Sequence, residues 1–179
     1  MIKQTFLVIL IIFLSFGKST FPVNDKIKWH SSRPLKWSDF KGKKEVGKKR
    51  VAVAETAVEI VTENSFYRDG IPIFEINCYF LKNESWTITK DIQHLKHEQL
   101  HFNIHEVYTR KIRKEFDSLN NNKITDFDVY KSVFEKKLSE CDSLNNKYDN
   151  ETYFSIDKIV QVKWEKKISQ MLIELNSFK

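Results

Sequence analysis

The sequence predicts an α+β fold, a small antiparallel sheet followed by three helices, with a zincin-like metal helix as the first of the three. Three observations predict it. Two β-branched, partly alternating runs lie between residues 51 and 81, separated by the turn signal Asp69-Gly70-Ile71-Pro72. From about residue 89 onward apolar residues recur at steps of three and four. Strands therefore come first and helices after, which argues against alternating βα units and a parallel sheet.

The elements follow in order. Residues 1–17 read as a signal peptide. Lys3 gives a positive start, Phe6 to Phe16 is an apolar run too short for a usual transmembrane helix, and Ser15 and Gly17 sit at −3 and −1 of a cleavage site. The competing reading is an uncleaved N-terminal anchor. No Cys follows the run to take a lipid, and no second apolar stretch is long enough to span a bilayer. The expectation is one domain over 18–179, exported to the periplasm or exterior, monomeric, with no stable membrane span.

Residues 18–50 read as irregular, with Trp29 and Trp37 as anchors onto the core. Residues 51–62 and 73–81 suit strands, and 85–89 suit a short third strand or the approach to a helix. The first helix is expected from about Thr89 to Leu119, ended by the Asn-rich turn 120–122. The second opens with Thr125 as N-cap and Asp128 three residues on, buries Phe127, Tyr130, Phe134, Leu138 and Cys141, and stops near Asn145-Asn146. The third opens at Ser155 and buries Ile156, Val160, Trp164, Ile168, Met171, Leu172 and Leu175.

With 41% hydrophobic residues, 30% charged residues and only seven Gly and Pro, the chain is globular and neither disordered nor fibrous. The net charge of +6 admits nucleic acid or an anionic membrane as partners. The densest basic stretch (Lys41, Lys43, Lys44, Lys48, Lys49, Arg50) contains two glycines and no aromatic, so it reads as a solvated loop and no nucleic-acid partner is expected. Cys78 and Cys141 can pair in an exported chain, and can equally be buried thiols. Neither belongs to a CxxC unit, so no thiolate zinc site is suggested.

The chemistry concentrates in one place. Four of the five histidines fall between His94 and His105. His97 and His101, four apart on a helix, lie about 40° apart around its axis. Their imidazoles can converge on one ion about 2 Å away. Glu98 beside them can take a proton from a metal-activated water and return it to a leaving amine, which is the physical content of HExxH. The competing reading is a hydrogen-bonded His–Glu network without metal. The helical line through His101 and His105 continues to Tyr108, Ile112, Phe116 and Leu119, the stripe that the second half of the helix must bury. Imidazoles on a core-facing line need partners, and this favours a ligand set. His94 and His105, one turn to either side, are candidates for orienting the ligands.

Three blocks then carry a family resemblance. They are Arg33-Pro34-Leu35-Lys36-Trp37-Ser38-Asp39-Phe40-Lys41-Gly42; His97-Glu98-Gln99-Leu100-His101-Phe102-Asn103-Ile104 with Glu106 and Arg110 beyond; and Tyr148-Asp149-Asn150-Glu151-Thr152 followed by Gln161 and Trp164. In this order they are similar to the segments R-x-L-x-W-x-D-F-x-G, HEQxHFDIxE and YDxET…QxxW of the DUF922 family, described as bacterial predicted secreted zinc-dependent proteases. The resemblance implies Zn2+ held by His97 and His101, with Glu98 as general base. Two positions depart from that pattern: Asn103 stands where Asp is expected, and Phe154 where a His, a candidate third ligand, is expected. His105, Glu151 and Asp149 are the substitutes left open for the third ligand, and Tyr148 is a candidate oxyanion assistant.

Two functions follow as expectations. The first is an exported zinc metallopeptidase acting on a peptide or protein substrate. The alternative is a catalytically degenerate member serving as an envelope binding or structural module. The chain has no Gly-rich phosphate loop and no GxSxG elbow, which removes common rival hydrolases.

Overall fold

The computed structural model describes residues 25–44 and 52–179. The signal peptide read over 1–17 and the basic residues Lys48, Lys49 and Arg50 lie outside the described residues. Five strands precede three helices: β1 (Lys26–Lys28), β2 (Ala54–Glu55), β3 (Val58–Arg68), β4 (Ile71–Leu81), β5 (Trp86–Thr87), α1 (Ile92–Asn121), α2 (Phe127–Glu151) and α3 (Lys158–Glu174). The expected α+β order is therefore present.

The sheet is antiparallel with order β1-β4-β3, and β2 pairs β5 in a separate ribbon. The β3–β4 hairpin turns at Asp69 and Gly70, both at positive φ (51° and 78°), the conformation an Asp-Gly pair takes up with little strain. Its register shifts between Glu63 and Phe66, where Asn64 has φ 47°. On β4, Ile76, Cys78 and Phe80 turn inward and are buried. The run expected as one strand over 51–62 is divided at Thr56-Ala57: its first part pairs with β5 and its second with β4. The segment expected to be irregular contributes β1, whose Ile27 pairs with Phe80 and packs on the core between two lysines. Trp29 and Trp37 anchor as expected, against Leu35, Phe40, Phe80 and Phe102. Gly42 passes so close to the 83–85 turn that a Cβ would lie 2.8 Å from the carbonyl oxygens of both Asn83 and Ser85.

Helix α1 packs against β3 and β4 on one side and against α2 and α3 on the other. Its predicted stripe is real: Tyr108, Ile112 and Phe116 are buried and Leu119 packs beside them. Each helix starts at an aspartate. Asp91 accepts from Gln93 N (2.7 Å), Asp126 from Asp128 N (2.9 Å), and Asp157 from Ile159 N (3.0 Å) and Val160 N (2.9 Å). The caps are thus one residue after Thr125 and two after Ser155, because Asp caps at least as well as a hydroxyl. Helix α2 does not stop at Asn145-Asn146 but runs six residues past Asn145, to Glu151. Ile156, expected in the buried stripe of α3, is 76% exposed before the helix begins. Cys78 and Cys141 are both free and buried, not paired.

Candidate metal centre

The extension of α2 makes the site. One further turn past Asn145 carries Tyr148 and Asp149 inward, opposite the first third of α1, and both are buried. Asp149 Oδ1 lies 3.1 Å from His97 Nε2 and 3.0 Å from His101 Nε2, and the two Nε2 atoms are 3.2 Å apart. The residues form one buried group, able to hold a metal ion. A tetrahedral ion with bonds of about 2.0–2.2 Å spaces its ligands roughly 3.3 Å apart or slightly more. The three donors thus need to part by only a few tenths of an ångström to accept one.

The far side of each imidazole is fixed by an amide whose own orientation is dictated. Asn145 Nδ2 donates to the Cys141 carbonyl (3.0 Å), so its Oδ1 faces His101 Nδ1 at 2.8 Å. Gln161 Nε2 donates to the Glu165 carboxylate (3.1 Å), so its Oε1 faces His97 Nδ1 at 3.3 Å and the Tyr148 hydroxyl at 2.6 Å. A carbonyl or carboxylate only accepts, so both amide oxygens must point at the rings. Each ring then keeps its hydrogen on Nδ1 and turns the Nε2 lone pair toward Asp149.

Two such lone pairs facing each other across 3.2 Å need a positive charge between them. In the metal-free site a proton supplies it. Burial alone would lower the His101 pKa, but the Asp149 charge and hydrogen bond, with smaller contributions from Glu98 and Asn145, outweigh burial and raise it to about 9. Burial likewise disfavours the Asp149 carboxylate, yet the histidines beside it hold its pKa well below the usual range. A divalent cation would serve all three donors at once, so the donor set fits a metal.

Glu98 is 6% exposed, and among the described residues its carboxylate makes no hydrogen bond or ion pair. It sits on the turn that links the two histidines and its charge reaches His101. A sheltered carboxylate of this kind is available as a proton acceptor.

The other sequence candidates fall elsewhere. His105 donates its Nδ1 hydrogen to the His101 carbonyl (2.7 Å) and is outside the donor group. Glu151 is exposed and accepts from Trp164 Nε1 (2.8 Å). Tyr148 stacks on His97 with centroids 4.5 Å apart and gives its hydroxyl hydrogen to Gln161, so it braces the ligands and is not turned toward a reacting group. Burial pushes its pKa far up, and it stays a neutral phenol. His94 bonds Ser155, tying the α2–α3 loop to the first turns of α1. Asn103 lies on the other flank of α1, where its Oδ1 accepts from Trp29 Nε1 (2.9 Å) and Gln99 Nε2 (2.9 Å). Phe154 is 51% exposed. Asn103 thus stands apart from the three donors, and Phe154 meets them only through its backbone N, which donates to the Asp149 carbonyl (2.9 Å).

Sequence reasoning missed the ring-orienting roles of Asn145 and Gln161. The signal for Asn145 was present: the α2 stripe through Phe134, Leu138 and Cys141 continues by helical steps to Asn145, Tyr148 and Asp149. That is the same in-line placement of polar residues on a core stripe that marked the histidines of α1. The chain matches no family model, no curated protein and no solved structure.

Proposed function

We propose that the chain is an exported zinc-dependent metallopeptidase of the DUF922 type. The observation that carries the reading is the convergence of His97 Nε2, His101 Nε2 and Asp149 Oδ1 within 3.2 Å of one another, with the buried Glu98 beside them. Three protein ligands are what catalytic zinc sites use, leaving one position for water or substrate. His97 and His101 would hold the ion as neutral imidazoles and Asp149 as a carboxylate.

Zinc, when bound, supplies Lewis acidity and brings the pKa of a coordinated water to about 7. The chain's own residues do the rest. Asn145 and Gln161 fix the ring tautomers. Tyr148 and Trp164 wall the ligands off from solvent and hold His97 in plane. Glu98 accepts the proton that the attacking water loses and delivers it to the departing nitrogen, so that the amide leaves as a neutral amine. A peptide or protein is the substrate class, and the N-terminal segment over 1–17 directs the chain out of the cytoplasm.

The test is direct. The purified protein is dialysed free of loosely held ions and its zinc content measured, and cleavage of a peptide library is compared with that of Glu98→Gln. About one tightly held zinc per chain, with cleavage abolished in the variant, supports the peptidase. Zinc without cleavage points to the non-catalytic binding module, and absence of zinc ends the peptidase reading.

A further inference from the structure

The surface next to the metal centre carries an unexplained concentration of apolar side chains. The α2–α3 loop and the first turns of α3 expose Tyr153 (67%), Phe154 (51%), Ile156 (76%), Ile159 (74%) and Val162 (61%). Ile159 and Val162 are three apart on the side of α3 opposite Trp164 and Ile168, which are buried. Soluble proteins scatter such residues singly, whereas here five stand within ten residues of one loop and helix start.

The loop is built to present them. Tyr153, Phe154 and Ser155 all have positive φ (47°, 54° and 76°), a backbone that non-glycine residues adopt only when surroundings impose it. The imposing contacts are present: Phe154 N donates to Asp149 O (2.9 Å), Asp157 N donates to Thr152 O (2.9 Å), and the Ser155 side chain is held by His94. The aromatic rings are therefore fixed outward.

The exposed charges beside Ile159 and Val162 on the outer face of α3 are mostly basic. Lys158, Lys163 and Lys166 are exposed and, among the described residues, form no ion pair. Of the acidic residues in the same segments, Asp157 caps α3, Glu165 accepts from Gln161 and Glu151 pairs with Lys147. Projecting aliphatic and aromatic side chains flanked by exposed lysines on α3 match a surface that is apolar beneath and anionic above. An apolar partner protein would not require the lysines, and a second copy of the chain would bring like charges together. We infer that the α2–α3 corner docks on an anionic lipid bilayer, inserting Tyr153, Phe154, Ile156 and Ile159 to the level of the headgroups.

The inference is independent of the metal centre and is read without activity. Phe154→Cys and, separately, Ile159→Cys in the full chain are labelled with an environment-sensitive fluorophore, with Lys131→Cys on α2 as control; the native cysteines are buried. Vesicles of phosphatidylcholine with phosphatidylserine are added. The expected result is a blue shift at 154 and 159 but not at 131, lost with phosphatidylcholine alone and reversed by high salt. In the labelled Phe154→Cys chain, Ile159→Ser should weaken the vesicle-dependent shift about tenfold in lipid concentration. No shift at either position with anionic vesicles overturns the inference. An equal shift with neutral vesicles overturns its anionic part. A shift that grows with protein concentration without lipid, together with dimers on sedimentation, assigns the patch to a second copy instead.

Discussion

Asp149 presents one carboxylate oxygen to His101 Nε2 at 3.0 Å, across the interface between the last turn of α2 and the first third of α1. The pair places a donor from a second helix opposite the HExxH turn, and of the three open candidates it is Asp149 that joins His97 and His101 in one group able to hold a metal ion. Asp149→Ala should lower zinc affinity by at least 100-fold, whereas Glu151→Ala and His105→Ala should leave it within a few-fold of the parent. Phe154→His should add no ligand, because the side chain at that position is 51% exposed while the three donors are buried. Zinc titration against a competing chelator measures all four variants. A loss on Glu151→Ala equal to that on Asp149→Ala would refute the assignment.

Glu98 separates binding from chemistry. It is outside the donor group, so Glu98→Gln should retain the ion with affinity within a few-fold of the parent. Cleavage should fall by about 10²–10⁴-fold, the usual contribution of a positioned acid–base group. Zinc content and kcat/KM measured on the same preparation check both halves of the expectation.

The two amides that orient the rings predict a graded effect. Asn145→Leu removes the acceptor at His101 Nδ1, and Gln161→Leu removes the one at His97 Nδ1. Each should weaken zinc binding by about 10–100-fold without removing a ligand. Gln161→Leu also removes the shorter of the two bonds of the buried Tyr148 hydroxyl and leaves it the His97 carbonyl at 3.3 Å, at a cost of about 1 kcal/mol in stability. Thermal unfolding of the chelator-treated proteins distinguishes this stability loss from the affinity loss.

The parts of this arrangement legible in the sequence are those with short-range signals. The HExxH turn and the α1 stripe obey one helical period, so periodicity alone placed His97, Glu98 and His101 on the core-facing side. The Asp-Gly turn fixed the β3–β4 hairpin. The third donor of the group was not legible because it depends on where α2 ends. Paired asparagines ordinarily stop a helix, since their side chains compete with its backbone bonds. Here Asn145 bonds Cys141 O and His101 instead, so the competing groups are satisfied inside the fold and the helix continues. A pairing across 44 residues decides a local boundary, and no window of sequence contains it. The exposed Ile156 was missed for the converse reason. A hydrophobic residue near a helix start reads as core, while only the left-handed backbone of 153–155 turns that corner outward.

Close backbone approach gives a prediction at Gly42. A methyl group there would meet two backbone carbonyl oxygens at 2.8 Å, and both belong to the turn leading into β5. Neither oxygen can rotate away as a side chain would. Gly42→Ala should therefore destabilise the fold by about 1–3 kcal/mol, read from the midpoint of urea unfolding at unchanged slope.

Stability in acid should report the fork between Arg33 and Asp39. Arg33 Nη2 donates to Asp39 Oδ1 (2.7 Å), its Nη1 to Oδ2 (3.1 Å), and Lys36 N also donates to Oδ2 (2.8 Å). Burial alone would raise the Asp39 pKa, but these donors, with the charges of Arg33 and Lys82, outweigh burial and lower it. A carboxylate depressed in the folded state stabilises the fold fully above its unfolded pKa of about 4, and that contribution is lost as pH falls through the lower folded value. The guanidinium is 41% exposed and screened by water, so the contribution is about 1 kcal/mol. Asp39→Asn should accordingly be about 1 kcal/mol less stable than the parent at pH 7. The gap should close progressively below about pH 4, where the parent loses its own charge. Urea unfolding of both proteins across this range checks the sign, and a gap that widened in acid would contradict the role assigned to the fork.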